Sequence, residues 1–136
     1  IIILNGRLEE LPESLTDKIR ALNYPYLIID LVEGSSESDL KNIFRDFLKL
    51  LDLVAFFTAN ENEARSWFVK NGTKAPQAAG IVHTDFQEKF IKAEVINWEK
   101  LVEVEGWHQA KQKGWVRLEG KDYEVQDGDV VEIKHG

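Results

Sequence analysis

Five basic side chains, Arg65, Lys70, Lys74, Lys89 and Lys92, stand in a stretch whose only acidic residues are Asp85 and Glu88. Trp67, Phe86 and Phe90 are interleaved with them. Ammonium and guanidinium groups neutralise phosphates, and aromatic faces stack on unpaired bases, so this island has the ingredients of an RNA contact. Its bland alternative is a solvated sheet face whose aromatics belong to the core. The other candidate constellations are weaker. His83-Thr84-Asp85 puts an imidazole and a carboxylate on one side of an extended segment. No serine has the context of an activated nucleophile, so His83 reads as a loop residue held by local hydrogen bonds. His83, His108 and His135 are not at metal-ligand spacing, and no cysteine is present to complete a zinc site. Asp127-Gly128-Asp129 lacks the further carboxylates of a calcium loop and reads as a tight turn. Neither a catalytic residue nor a metal ligand is expected. No G-x-x-x-x-G-K-S/T occurs, so the chain lacks the backbone cradle, lysine and hydroxyl that hold a nucleotide's phosphates. It is not expected to hydrolyse a nucleotide by itself.

The bulk composition limits the partners. The 136 residues carry 17 basic and 24 acidic side chains, net −7, which argues against a nucleic-acid binder that uses its whole surface. An apolar share of 43% with 30% charged residues is that of a globular chain. The longest apolar run, Leu53 to Phe57, falls far short of the ~20 residues that span a bilayer, so no membrane partner is expected. The absence of cysteine excludes disulfides and fits the cytoplasm. The chain begins at Ile1 and contains no methionine, which suggests a piece of something longer.

The elements that must position the island follow from periodicity. Ile1–Leu4 reads as a strand closed by Asn5-Gly6. Leu11, Leu15, Ile19 and Leu22 mark a helix with Pro12 in its first turn. Tyr26–Val32 reads as a buried strand, Gly34–Ser36 as a loop, and Ser36 with Asp39 as a capping box. Leu40, Ile43, Phe44, Phe47, Leu48 and Leu51 then predict a helix over about 37–51. This β-α-β-α run is the signature of a parallel sheet, yet two strands are too few to stand alone. From Asp52 the pattern changes. Leu53–Ala59 and Arg65–Lys70 read as a hairpin, and Ala75–Val82 as a short helix with Thr73 as its cap. Phe90–Ile96 is the next strand, and Trp98–Val102 and Trp107–Lys113 are short helical pieces. Trp115–Leu118 and Tyr123–Val125 would form a second hairpin around Glu119–Asp122, with Val130–Lys134 as the last strand. The class is α+β, with a mixed sheet of ubiquitin-like type wrapping the short helix in residues 52–136. Trp67, Trp98, Trp107 and Trp115 are expected in the core or at its rim, with Trp107 and Trp115 set among Lys111, Lys113 and Gly114.

Certain words in the second part are specific. They are Ala75-Pro76-Gln77-Ala78-Ala79-Gly80, His83-Thr84-Asp85-Phe86, Phe90–Ile96, Arg117–Tyr123 and Val125–Val130, in this order and spacing. They closely resemble the C-terminal TGS domain of the YchF family, the Obg-like ATPases, over roughly residues 38–136. The resemblance implies a β-grasp TGS domain in residues 52–136, preceded in 1–51 by the last β-α-β-α of a P-loop nucleotide-binding domain. It implies a longer parent that hydrolyses ATP or GTP with magnesium, associates with ribosomes and is cytoplasmic, while this chain itself carries no cofactor. It also implies an RNA- or ribosome-facing role for Arg65, Trp67, Lys70, Lys74, His83, Phe86, Lys89 and Lys92. The family reads the nucleotide base with Asn-x-x-Glu after a strand. Here Asn5 is followed by Leu8 where the acid belongs, with Glu9 one position later, so Asn5 and Glu9 are the expected remnant of that pocket. Asp30-Leu31-Val32 does not match the Ser-Ala-Lys element that follows the next strand. The competing class is a ubiquitin-like carrier or protein-interaction domain that binds no nucleic acid. Carriers need a Gly-Gly tail, whereas Lys134-His135-Gly136 offers one glycine.

Overall fold

The computed structural model describes residues 2–24, 26–30, 37–60 and 62–136. The chain divides into two units, Ile1–Leu51 and Asp52–Gly136. The expected loop at Gly34–Ser36, the capping box at Ser36 and the strand end at Leu31-Val32 lie outside the described residues.

The first unit is built on two parallel strands, β1 (Ile2–Asn5) and β2 (Tyr26–Ile29), paired from Ile2↔Tyr26 to Asn5↔Ile29. Helix α1 (Glu13–Ala21) connects them and buries Ile19. Pro12 precedes its first turn, where a missing N–H costs nothing. A 3-10 turn, Leu8–Glu10, fills the space between β1 and α1. Helix α2 (Glu37–Leu50) follows, with Ile43, Phe47 and Leu48 half-buried and Leu40 and Phe44 exposed.

The second unit is a five-stranded mixed sheet. Its strands are β3 (Leu53–Ala59), β4 (Ala64–Lys70), β5 (Phe90–Asn97), β6 (Arg117–Glu119) and β7 (Asp129–His135), in the spatial order β4-β3-β7-β5-β6. The β3–β7 pair is parallel and the other pairs are antiparallel. Alternation along the strands sorts the side chains onto two faces. Phe56, Val69, Ala93, Val95 and Val131 face helix α3 (Ala75–Val82), which presents Ala75, Ala78 and Ala79. Three alanines let the helix backbone lie close to the sheet, and burying a ring such as Phe56 beneath it is worth about 2–3 kcal/mol. Ile96 and Val130 point the other way, with Phe57 and Ala59 beside them. They are covered by Leu101 of α5 (Trp98–Glu103), by Trp107 and Ala110 of α6 (Trp107–Gln112), and by Val104 and Trp115 in the segments that follow these helices. The short helix α4 (Thr84–Glu88) lies between α3 and β5. Among the described residues no helix is long and apolar enough to cross a membrane.

Three local expectations are corrected. Tyr123–Val125 is not a strand and makes no hairpin with β6. Its backbone is taken by the loop before α3, with Ala75 N donating to Tyr123 O (2.8 Å) and Val125 N to Thr73 O (3.0 Å). Thr73 does not cap α3, because its hydroxyl donates to Lys70 O at 2.6 Å and Lys74 occupies the cap position. The His83–Asp85 segment is not extended throughout, because His83 caps α4 and its Nδ1 accepts from Asp85 N at 3.2 Å.

Candidate nucleic-acid interface

The basic island is dispersed. Arg65 and Trp67 lie on β4 on the side facing α3, and by alternation Lys70 lies on the opposite side. Trp67 is half-buried and its indole donates to Thr58 Oγ1 at 3.0 Å, so it serves the core rather than offering a free face. Lys92 stands on β5 opposite Lys134, on the sheet face away from α3. Lys74 precedes α3 and pairs with Asp122 at 2.8 Å, which raises the lysine's pKa and lowers that of the carboxylate through their shared hydrogen bond. Arg65 pairs with Glu63 at 3.1 Å and Lys89 with Asp85 at 3.9 Å. All three pairs are exposed, where such contacts contribute at most about 1 kcal/mol.

One group of expected residues does assemble. The Phe86 ring lies 5.3 Å from His83 and stacks at 4.5 Å on His135, with Lys89 at the end of the same helix. His135 was not among the expected residues. It comes from β7, about fifty residues away in sequence, and no local spacing signals it.

The face away from α3 carries charge that sequence reasoning did not single out. Lys111 approaches Glu94 Oε2 at 2.7 Å and Glu132 Oε2 at 3.4 Å. Lys134 reaches Glu132 Oε1 at 2.6 Å and Glu94 Oε2 at 3.5 Å. The Lys111 ammonium foremost, with Glu132 and Lys134 assisting, outweighs partial burial and holds the Glu94 carboxyl down at about 2. An open cavity of about 630 Å³ adjoins this cluster, lined by Asn60, Trp107, His108, Gln109, Lys111 and Glu132 among others. The Trp107 indole donates to Ala59 O at 3.3 Å. Lys113 and Lys100 lie over the Trp115 ring, 4.7 and 5.9 Å from its centroid.

The acidic turn is structural. Asp127 Oδ1 accepts from Ala55 N at 2.8 Å. Asp129 is buried and accepts from the Tyr123 hydroxyl (2.6 Å), Gln126 N (2.9 Å) and Arg117 Nη2 (3.4 Å). Burial first, and the bond to Asp129 second, push the Tyr123 hydroxyl well above the ordinary phenol range. Among the described residues no group of three His, Asp or Glu side chains is arranged to hold a metal.

In the first unit, Asn5 ends β1 and Glu9 lies exposed in the 3-10 turn that follows. Asp30, just beyond β2, is paired with Arg7 at 2.7 Å. The carboxyl ends of the two parallel strands are therefore adjacent, the place where open parallel sheets bind ligands.

A family profile described as "YchF-GTPase_C: Protein of unknown function (DUF933)" matches residues 53–136. The ribosome-binding ATPase YchF of Bacillus subtilis (strain 168) is 48% identical over 101 residues, which are 74% of this chain and 28% of that protein. Obg-like ATPase 1 of Danio rerio is 43% identical over 102 residues, 75% of this chain and 26% of that protein. The solved structure of the Schizosaccharomyces pombe YchF GTPase is similar in fold, with a TM-score of 0.70 at 24% identity, over 98% of this chain and 43% of that one. The chain thus spans under a third of the length of these curated relatives.

Proposed function

The chain belongs to the YchF family, and on that footing we propose that residues 52–136 are a β-grasp TGS domain that docks on the ribosome through its RNA. The observation that carries this reading is the match of residues 53–136 to the YchF profile and to relatives named ribosome-binding ATPases. The strand order β4-β3-β7-β5-β6, with α3 against one face, supports the β-grasp assignment.

On this reading the exposed cations supply the contact. Arg65, Lys74 and Lys89 each exchange a weak carboxylate pair for a phosphate at little cost, and Lys70 and Lys92 add charge. The His83–Phe86–His135 stack with Lys89 offers rings beside a cation, and Trp67 stiffens the strand that carries Arg65. Residues 1–51 are the last β-α-β-α of a P-loop domain, with Asn5 and Glu9 on the rim of its base pocket. ATP or GTP hydrolysis with magnesium belongs to a longer cytoplasmic protein that carries the phosphate-binding loop. This chain positions the ribosome contact.

Cosedimentation of the 136-residue chain with ribosomes, titrated from about 50 to about 200 mM salt, tests the reading. The expected result is association at low salt that weakens steeply as salt rises. Absence from the ribosomal pellet at low salt overturns it.

A further inference from the structure

Residues 106–118 contain Lys111, Lys113 and Arg117 and no carboxylate, in a chain with 24 acidic side chains. Two of these cations are committed, Lys111 to Glu94 and Glu132, and Arg117 to Glu119 (3.2 Å) and Asp129. Lys113 has no ion pair with a carboxylate among the described residues, and the same holds for Lys100 on α5. Both ammonium groups converge on the ring of Trp115, at 4.7 and 5.9 Å from its centroid. Both lysines are exposed, while Trp115 is half-buried and packs against the cluster formed by Ile96, Val104, Ala110 and Val130. The ring is thereby fixed to the core while its lysines stay in water. Two like charges gathered over one ring repel each other, and the quadrupole of a single indole balances them only in part. An anion bridging them completes the arrangement, and a ring held this rigidly loses little entropy when a base stacks on it.

Resting on the reading of the chain as a contact for ribosomal RNA, we propose that Trp115 with Lys100 and Lys113 is a ledge for unpaired RNA. The two lysines take phosphates and the indole takes a base. This ledge lies on the sheet face covered by α5 and α6, whereas the α3 face carries Arg65 and Trp67. It needs no carboxylate to be displaced first, which distinguishes it from Arg65, Lys74 and Lys89.

The test is binding of a fluorescent single-stranded oligouridylate to the 136-residue chain, with K100Q/K113Q compared against K18Q/K121Q, which makes the same charge change at exposed sites elsewhere. The expected result is a Kd raised about tenfold by K100Q/K113Q at low salt, with a salt slope shallower by about 1.4, the value for two single-strand phosphates. K18Q/K121Q is expected to change Kd less than about twofold. Oligouridylate is also expected to quench the chain's tryptophan emission, and W115F, which keeps a ring on the core, to lose most of that quenching. Equal Kd values and slopes for the two double variants overturn the ledge. So does a chain that cosediments with ribosomes but ignores the oligonucleotide at low salt, and that outcome leaves the ribosome reading standing. Failure of both assays removes both.

Discussion

Replacing Asp129 with alanine tests how the second unit is held together. The residue is 3% exposed and its carboxylate accepts from the Tyr123 hydroxyl, Gln126 N and Arg117. In D129A the Gln126 N–H loses its acceptor at the edge of the core. A buried donor left unmade costs about 1–3 kcal/mol. The Tyr123 hydroxyl loses its shortest partner and keeps only the 2.7 Å contact with Arg117 Nη2. Arg117 is half-exposed and turns to water and to Glu119, so its share is small. The expected loss is about 2–4 kcal/mol, the orphaned Gln126 donor together with the lost tyrosine bond. Y123F removes one donor and leaves Asp129 two others, so about 1–2 kcal/mol is expected. The double variant should fall short of the sum by about 1 kcal/mol or more, because the two changes share one bond. Urea unfolding followed by tryptophan emission is the assay. All four tryptophans lie between residues 67 and 115, so the signal reports the second unit alone. D129A within about 1 kcal/mol of the parent chain, or strict additivity with Y123F, would refute this account. The perturbation also bears on the proposed RNA ledge, since Arg117 opens β6 two residues after Trp115.

The Glu94 cluster predicts an acid-sensitive share of stability. Its folded pKa, near 2, is below the ordinary 4.5, so the contribution is complete above about 4.5 and is lost as pH falls towards 2. The shift sets a ceiling of about 3 kcal/mol, which water access to Lys111 and Lys134 reduces to about 1–2. Urea midpoints for the parent chain and E94Q should converge over that pH range, and parallel pH profiles would contradict the assignment. Gly128 has φ +85°, and an added Cβ would lie 3.0 Å from Trp98 Cδ1 and 3.2 Å from Asn97 Nδ2. G128A is therefore expected to lower stability by about 1–3 kcal/mol in the same assay, and an unchanged urea midpoint would show that the turn relaxes freely.

Much of the fold was legible because its signals are local. The boundaries of α3 and β3 follow from Pro76 and an alanine run, and from a β-branched and aromatic stretch ended by Asn60. The expected helix over 37–51 corresponds to α2 because its apolar residues repeat with a helical period over four turns. Errors arose where distant partners decide. Tyr123–Val125 has strand-like residues, but the loop at Thr73 takes its backbone groups and Asp129 takes the tyrosine hydroxyl. Helix α4 is five residues long, too short for a periodic signal. The layout of the basic island was not legible either, because its members are contiguous in sequence but distributed over both faces of the sheet. Alternation sends Arg65 and Lys70 to opposite faces, and Lys74 meets Asp122 across 48 positions. The lysine pair over Trp115 was hidden for the same reason, because α5 and α6 meet through packing on Ile96 and Val130 rather than through any sequence word.

The position of β7 has a consequence for the order of assembly. It is the last strand of the second unit in sequence and the central one in space, between β3 and β5. Phe56 pairs with Trp67 on one side within the β3–β4 hairpin, and its other side is filled only by Asp129 of β7. The β3–β4 hairpin and α3 can form as soon as they are made, but β3 and β5 keep facing edges unpaired until β7 arrives. During synthesis the sheet is therefore two halves without a centre, and its core closes in one late step. A chain of this design cannot display its folded surface to any partner while its final strand is still being translated.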